Sequence, residues 1–329
     1  MRRMIAVGAV IALAGGCGAA PVGVPARAVP SVTVQPSGVQ MPAAVPSEVP
    51  STCAAKASLR PLGPPGEIPP GSTMARIRDH KRLVIGVGPS AYKLSYRDPH
   101  DEGRVHGFEA EIAQEIAFAI FGDRDESRIQ FRALNTADRI PAILGVAEDG
   151  RKVETVDMVL AAMTMTCERW EKVAFSAEYY SAGQRVLVPR GSGIEGIGDL
   201  GGRKVCASAT STNILAIDKQ RPRPVAVAAA NTSDCLLLLQ QGQVDAVSTG
   251  DVILAGLAAQ DPAMEIKGPR FTEEPTGIAM SPDAKDLVRF VNGVLEQFVR
   301  SGKWKDRQAF WLAPEIGSAE PPVPQYQAE

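Results

Sequence analysis

Long apolar runs are missing from this chain of 329 residues. The apolar stretch Ile5 to Leu13 falls far short of the roughly 20 residues that a membrane-crossing helix needs. Aromatic residues make up only 5% of the sequence and none precedes Tyr92, so the N-terminal region has little with which to build a core. The three histidines, His80, His100 and His106, share one polar, surface-like stretch. That placement suits solvated side chains better than a metal site, and the cysteines lack zinc-site spacing. Lysine plus arginine (35) nearly balances aspartate plus glutamate (37). With no basic stripe interleaved with aromatics, nucleic acid is excluded as a partner class. Gly86-x-Gly88 lacks the third glycine and the helix start of a dinucleotide site and reads as a turn. No nucleophile stands beside a base and no carboxylate pair is well placed. Neither cofactor nor metal is expected.

What the N-terminus does have is an address. Arg2 and Arg3, the apolar run, and the small residues Gly15 and Gly16 before Cys17 carry the marks of a removable signal peptide. The run Leu13-Ala14-Gly15-Gly16-Cys17 resembles a lipobox, with Cys17 receiving lipid, although Ala14 stands where lipoboxes usually carry Leu. The alternative is an ordinary signal peptide that happens to contain Cys17. Residues 1–16 are therefore expected as signal peptide. Residues 17–72, rich in Pro, Val and Ala, are expected as a lipidated, flexible tether, because they lack the apolar bulk to offset their ordering entropy. These features place the chain at the cell membrane, lipid-anchored and facing the extracellular or periplasmic side.

About 245 residues follow, Gly71 to Pro314, enough for one large or two medium domains. Strands and helices alternate. Leu83-Val84-Ile85-Gly86-Val87 reads as a buried strand, and Phe108, Ile112, Ile116 and Ile120 recur as one helical face,. Further strands are expected at Ile129 to Arg132, Asp157 to Ala161, Arg185 to Val188, Lys204 to Ala207, Val225 to Val227 and Asp245 to Val247. Helices are expected near Asp138 to Gly145, from Thr212, over Asp234 to Gln241, and over Asp286 to Phe298. This order argues two α/β domains with largely parallel sheets. Four cysteines besides Cys17 (Cys53, Cys167, Cys206 and Cys235) suggest two disulfides in an exported chain, with three connectivities open. No Cys-x-x-Cys motif points to a redox pair.

Several ordered motifs now converge. Gly107-Phe108-Glu109-Ala110-Glu111-Ile112-Ala113, Arg139-Ile140-Pro141, Val156-Asp157-Met158, Met163-Thr164-Met165-Thr166-Cys167-Glu168-Arg169 and Val244-Asp245-Ala246-Val247 resemble family 3 of the bacterial extracellular solute-binding proteins. Within it they resemble the glutamine/glutamate/aspartate-binding lipoproteins of ATP-driven importers. The resemblance runs from about Thr73 to Leu312 and implies a type II periplasmic-binding-protein-like fold, two α/β lobes joined by a two-strand hinge. Carried over, lobe 1 is 73–181 plus 276–312, lobe 2 is 182–275, and 313–329 is a tail. It also implies Cys206–Cys235 within lobe 2, which leaves Cys53–Cys167.

The same resemblance assigns roles. Arg169 grips the ligand α-carboxylate, for which a planar guanidinium gives two parallel charge-assisted bonds. Thr164 adds an amide and a hydroxyl, and the Ala162 carbonyl faces the ligand amine. Arg139, with Thr136 as companion, matches the position that binds a side-chain carboxylate; the alternative is a solvated helix arginine. In lobe 2, Ser211 and Thr212 stand at a strand-to-helix junction where free N–H groups bind anions, although a plain helix cap explains Thr212 as well. Lys93 and Arg97 are weaker candidates for the side-chain charge. Tyr92 and Phe108 are possible apolar walls, with the core as the other place for Phe108. The family usually ends its Asp-Ala-Val strand with Thr-Asp-Asp; here it is Thr249-Gly250-Asp251. Either Asp251 reaches the amine, or carbonyls and another carboxylate do.

The function implied is a receptor for a polar amino acid, acidic in preference with asparagine and glutamine also open, delivering it to a membrane permease. A membrane sensor that reads the closed form is the alternative partner. An enzyme on the same fold, a dehydratase or a cell-wall lyase, is the runner-up of a different class.

Overall fold

A computed structural model of the chain describes residues 35–45, 52–89 and 91–328. The signal segment, Cys17 and the start of the Pro-rich stretch lie outside the described residues. No described helix is long and apolar enough to cross a membrane.

Two five-stranded sheets organise the body. In lobe 1 the strand Leu83–Val87 pairs in parallel with Ile129–Ala133 and with Met158–Val159. Ala279–Met280 then runs antiparallel to both Met158–Val159 and Ala174–Phe175. Lobe 2 repeats the plan: Lys204–Ser208 is parallel to Val225–Ala229 and to Ala246–Gly250, while Gln184–Pro189 is antiparallel to Ala246–Gly250 and Met264–Lys267. The expectation of largely parallel sheets is corrected accordingly. In each sheet the reversed strand is the first after a passage through the hinge, Ala279–Met280 in lobe 1 and Gln184–Pro189 in lobe 2.

Both passages run side by side. Tyr180–Ala182 and Glu274–Thr276 form an antiparallel ribbon, Tyr180 opposite Thr276 and Ala182 opposite Glu274. Lobe 1 is anchored beneath it by an aromatic cluster. Phe108 meets Tyr180 and Trp304 edge-on at 5.8 and 5.7 Å, and Trp304 Nε1 donates to the Tyr179 carbonyl at 2.7 Å. A buried indole whose only donor is satisfied adds large apolar area at no polar cost. Phe108 is thus a core residue.

The lobes are drawn together. Val252 and Ala255, on the lobe 2 helix Asp251–Gln260, belong to the same buried cluster as Ala91 and Leu94 of lobe 1. Gly256 permits this approach, because a Cβ there would lie 2.2 Å from the Tyr92 carbonyl oxygen.

The expectation of a free tether to residue 72 needs correcting in its described part. Gln40 exchanges backbone hydrogen bonds with Ala228 (2.9 and 3.0 Å), and Ala43 N donates to Ala226 O, so residues 39–43 line the open edge of the lobe 2 sheet. Val39, Met41, Ala43 and Val45 pack on its cores. Further on, Ala57–Ser58 pairs in parallel with Gln325–Tyr326 of the tail, and the buried Asn292 donates to Ser58 Oγ and Leu59 O. Proline spacing left enough N–H groups and aliphatic side chains for the segment to use sheet edges, which attract any extended chain.

Candidate functional site

The strand Met158–Val159 leads into Ala162, whose φ of +46° is a left-handed conformation that non-glycine residues seldom adopt and that costs roughly 1–3 kcal/mol. Its N–H is held by Glu109 Oε1 at 2.6 Å, and the Tyr179 hydroxyl donates to the same oxygen. Burial pushes the Glu109 carboxyl upward, although those hydrogen bonds and the Arg139 charge oppose the shift.

Beyond Ala162, Thr164 bridges to Thr276 beside the hinge, and Met165 N donates to Pro275 O at 2.7 Å. Thr166 then caps the short helix Cys167–Trp170, its hydroxyl accepting from Arg169 N. Arg169 folds back over this turn, with Nη1 donating to Thr164 O at 2.7 Å. Cys53 bonds Cys167, which clips the turn to the N-terminal segment; Cys206 bonds Cys235 inside lobe 2. Burial and the neighbouring Arg139 bring the Arg169 guanidinium down to about 10.

Arg139 opens the helix Arg139–Leu144. Its Nε is enclosed without a hydrogen-bond partner. Burial lowers its pKa, and Glu109 only partly offsets this. The charge of Arg139 is thus felt at Arg169, so the two guanidinium groups lie within electrostatic reach of one another. Thr136, Arg139 and Ala162 of lobe 1 line a cavity between the lobes with Ser208 and Thr232 of lobe 2. It measures about 30 Å³, room for about two water molecules, so an amino acid needs the lobes to part. Arg169 and Thr164 lie outside that lining. Thr164 Oγ1 reaches across the cleft to Thr212 Oγ1 at 3.4 Å.

The other expected residues fall elsewhere. Ser211 is the cap of the helix Thr212–Asp218, its hydroxyl accepting from Ile214 N and donating to Ser208 O. Lys93 Nζ pairs with Glu315 at 2.5 Å, so its charge already has a partner, and the exposed Arg97 turns back on its own loop, Nη1 donating to Gly103 O. Asp251 is buried, but Arg270 grips its Oδ2 through Nε and Nη2 at 2.6 and 2.5 Å. The first alternative for the amine is thereby corrected: this carboxylate already has its cation. A groove of about 240 Å³ on lobe 1, walled by Leu295, Trp304, Pro324 and Tyr326, lies away from both arginines.

One acidic residue escaped the sequence reading. Glu274, on a hinge strand and 6% exposed, accepts from Asn213 Nδ2 at 2.5 Å. A Cβ on Gly250 would lie 2.8 Å from its Oε2. Burial, reinforced by the Asp251 charge, raises its pKa to about 7, against the pull of Arg169. The only trace in the sequence was the missing side chain at Gly250. Nothing in the spacing linked that gap to a strand more than twenty residues on.

Residues 83–314 match the bacterial extracellular solute-binding proteins, family 3. The chain belongs to that family. The ABC transporter glutamine-binding protein GlnH of Bacillus subtilis is 32% identical over 241 residues, 73% of this chain and 84% of that protein. The glutamate/aspartate import solute-binding protein of Escherichia coli is 24% identical over 249 residues, 72% of this chain and 79% of that one. Among solved structures, the P235GK mutant of ArgBP from T. maritima superposes with a TM-score of 0.63 at 25% identity, covering 73% of this chain and 99% of that one. This family 3 member therefore has the type II two-lobed fold, and its family is one of solute receptors, not enzymes.

Proposed function

We propose that this protein is a lipid-anchored, extracytoplasmic receptor that closes on an acidic amino acid and presents it to the permease of an ATP-driven importer. The observation that carries the acidic preference is the pair of guanidinium groups, Arg139 and Arg169, both with pKa values lowered by burial, with the Arg139 charge lowering that of Arg169 further. Arg169 takes the α-carboxylate; Arg139, with its Nε unsatisfied, takes the side-chain carboxylate, with Thr136 beside it. Glu109 offsets the cost of burying Arg139 only in part, and an entering carboxylate relieves the rest in a way that a neutral amide does not. Thr164 and the Ala162 carbonyl contact the α-carbon substituents, and Thr212 closes from lobe 2.

Amino-acid receptors among the relatives support the ligand class, and their transporter names support the permease as partner. The lipobox-like Gly16-Cys17 junction supports the anchor, which radiolabelled lipid incorporation, abolished by Cys17→Ser, tests. Calorimetry with aspartate, glutamate, asparagine and glutamine tests the specificity. Aspartate or glutamate is expected to bind tightest, and tighter binding of both amides overturns the acidic preference.

A further inference from the structure

A zwitterionic ligand brings an ammonium as well as carboxylates, and the cleft must meet it. Glu274 projects from the hinge strand Glu274–Thr276 into the space beside Gly250, close enough that any Cβ at position 250 would collide with its Oε2. Its Oε1 is oriented by Asn213, whose Oδ1 in turn accepts from Thr249 Oγ1 at 3.1 Å. Asp251, the acidic neighbour, is neutralised by Arg270. Glu274 has no ion pair within 4 Å among the described residues; Arg169 acts on it favourably through space. A buried carboxylate held in place by lobe 2 and lacking a cation is costly to ionise, and a cation arriving beside it relieves that cost.

We propose that Glu274 is the ammonium-binding carboxylate of this receptor, reaching from the hinge into the room that Gly250 leaves. The assignment rests on the amino-acid reading above and completes it. Arg139 and Arg169 face two carboxylates, and Glu274 faces the ammonium between them. A titration consequence follows. The groups that face Glu274 are Asp251, Arg169, Asn213 and Thr272; of these Asp251 raises its pKa and the other three lower it. With the carboxyl near 7 in the free receptor, an arriving ammonium favours the ionised form, so binding near neutral pH releases about half a proton. Affinity then weakens by about tenfold between pH 8 and pH 6, the ligand's own groups holding their charge over that range.

Calorimetry on the purified protein tests this with aspartate and glutamate against succinate and glutarate, the same dicarboxylates without the ammonium. Glu274→Gln, nearly isosteric and still able to accept from Asn213, is expected to weaken aspartate or glutamate by at least about thirtyfold. Succinate or glutarate should be unaffected or bound more tightly. Adding Gly250→Asp to Glu274→Ala, whose shortened side chain leaves that room empty, should restore a carboxylate to the strand end and recover at least about tenfold over Glu274→Ala alone,. Equal weakening of both ligand series, or an amino-acid affinity within about threefold of the original, overturns the assignment. A measurement on the unaltered protein avoids dependence on the variant's folding: titrations in two buffers of different ionisation enthalpy should show the proton release at pH 7, and none overturns it. If the unaltered protein binds no amino acid, the receptor reading falls and takes this one with it. Binding that survives Glu274→Gln removes only the assignment.

Discussion

Replacing Arg139 by alanine separates an acid-binding cleft from a general amino-acid cleft. In the protein as it stands, Arg139 Nε is enclosed with no acceptor, and burial outweighs the nearby Glu109 in lowering its pKa. A side-chain carboxylate placed there gains charge-assisted hydrogen bonds. Without the arginine it is left enclosed and unpaired, which costs about 3–5 kcal/mol when burial is complete. Arg139 keeps some contact with solvent, so the lower end applies. About 3 kcal/mol corresponds to a loss of roughly 150-fold. An amide side chain forfeits only an ordinary hydrogen bond, about 1 kcal/mol or roughly fivefold. Calorimetry with the four ligands at about pH 8, where Glu274 is ionised, measures the ratio directly. Equal weakening of acids and amides, or a greater loss for the amides, refutes the role given to Arg139.

Three further outcomes are expected. Cys53→Ser with Cys167→Ser opens a bridge across 114 residues; chain-entropy reasoning puts its contribution at about 4–5 kcal/mol. Thermal unfolding should fall accordingly and all four ligands should bind more weakly, because the Arg169 turn loses its clip; an unchanged melting point refutes this. For Glu274, a folded-state pKa of about 7 against an ordinary 4.5 means that the folded protein holds the proton more tightly. Its contribution is present at acid pH and lost as pH rises through 7, up to about 3 kcal/mol. Denaturant unfolding of the unliganded protein from pH 5 to pH 8 should show this slope beyond that of Glu274→Gln, and parallel curves refute it. Arg270→Ala strands the buried Asp251 and should cost about 2 kcal/mol, a figure discounted because Arg270 is partly exposed. Its effect on aspartate affinity should be smaller than that of Glu274→Gln; a larger one returns Asp251 to the ligand.

Sequence periodicity served where one force dominates. Apolar repetition placed Leu83–Val87 and the helices Phe108–Phe121 and Lys285–Arg300, because burial of one face decides those elements. Motif context found Arg139 and Arg169, and the structure brings them within electrostatic reach of one another. It could not tell a pocket wall from core at Phe108, since an aromatic at the start of a buried helix satisfies both. Lys93 looked available because its partner Glu315 sits 222 residues away. Asp251 looked available because Arg270 follows a separate strand. The strap at residues 39–43 was illegible for another reason: edge pairing depends on backbone groups, and these leave no side-chain signature.

The division of the charges between the lobes bears on closure. A ligand can shift an open–closed equilibrium only through contacts that differ between the two states. Arg139 and Arg169 both belong to lobe 1, so in the proposed roles their carboxylate bonds would be available before the lobes meet and would supply affinity without discriminating. Glu274 is tied by Asn213 to lobe 2, and Thr212 meets Thr164 only across the cleft. With the ammonium on Glu274, the ligand joins the lobe 1 arginines to a carboxylate that moves with lobe 2. The ammonium then drives closure, and the carboxylates hold what closure encloses. On that division, Arg139→Ala weakens binding while the bound state remains closed. Glu274→Gln leaves a ligand seated on lobe 1 with the lobes apart, a difference that small-angle scattering of the saturated variants reads as a larger radius of gyration for the second alone.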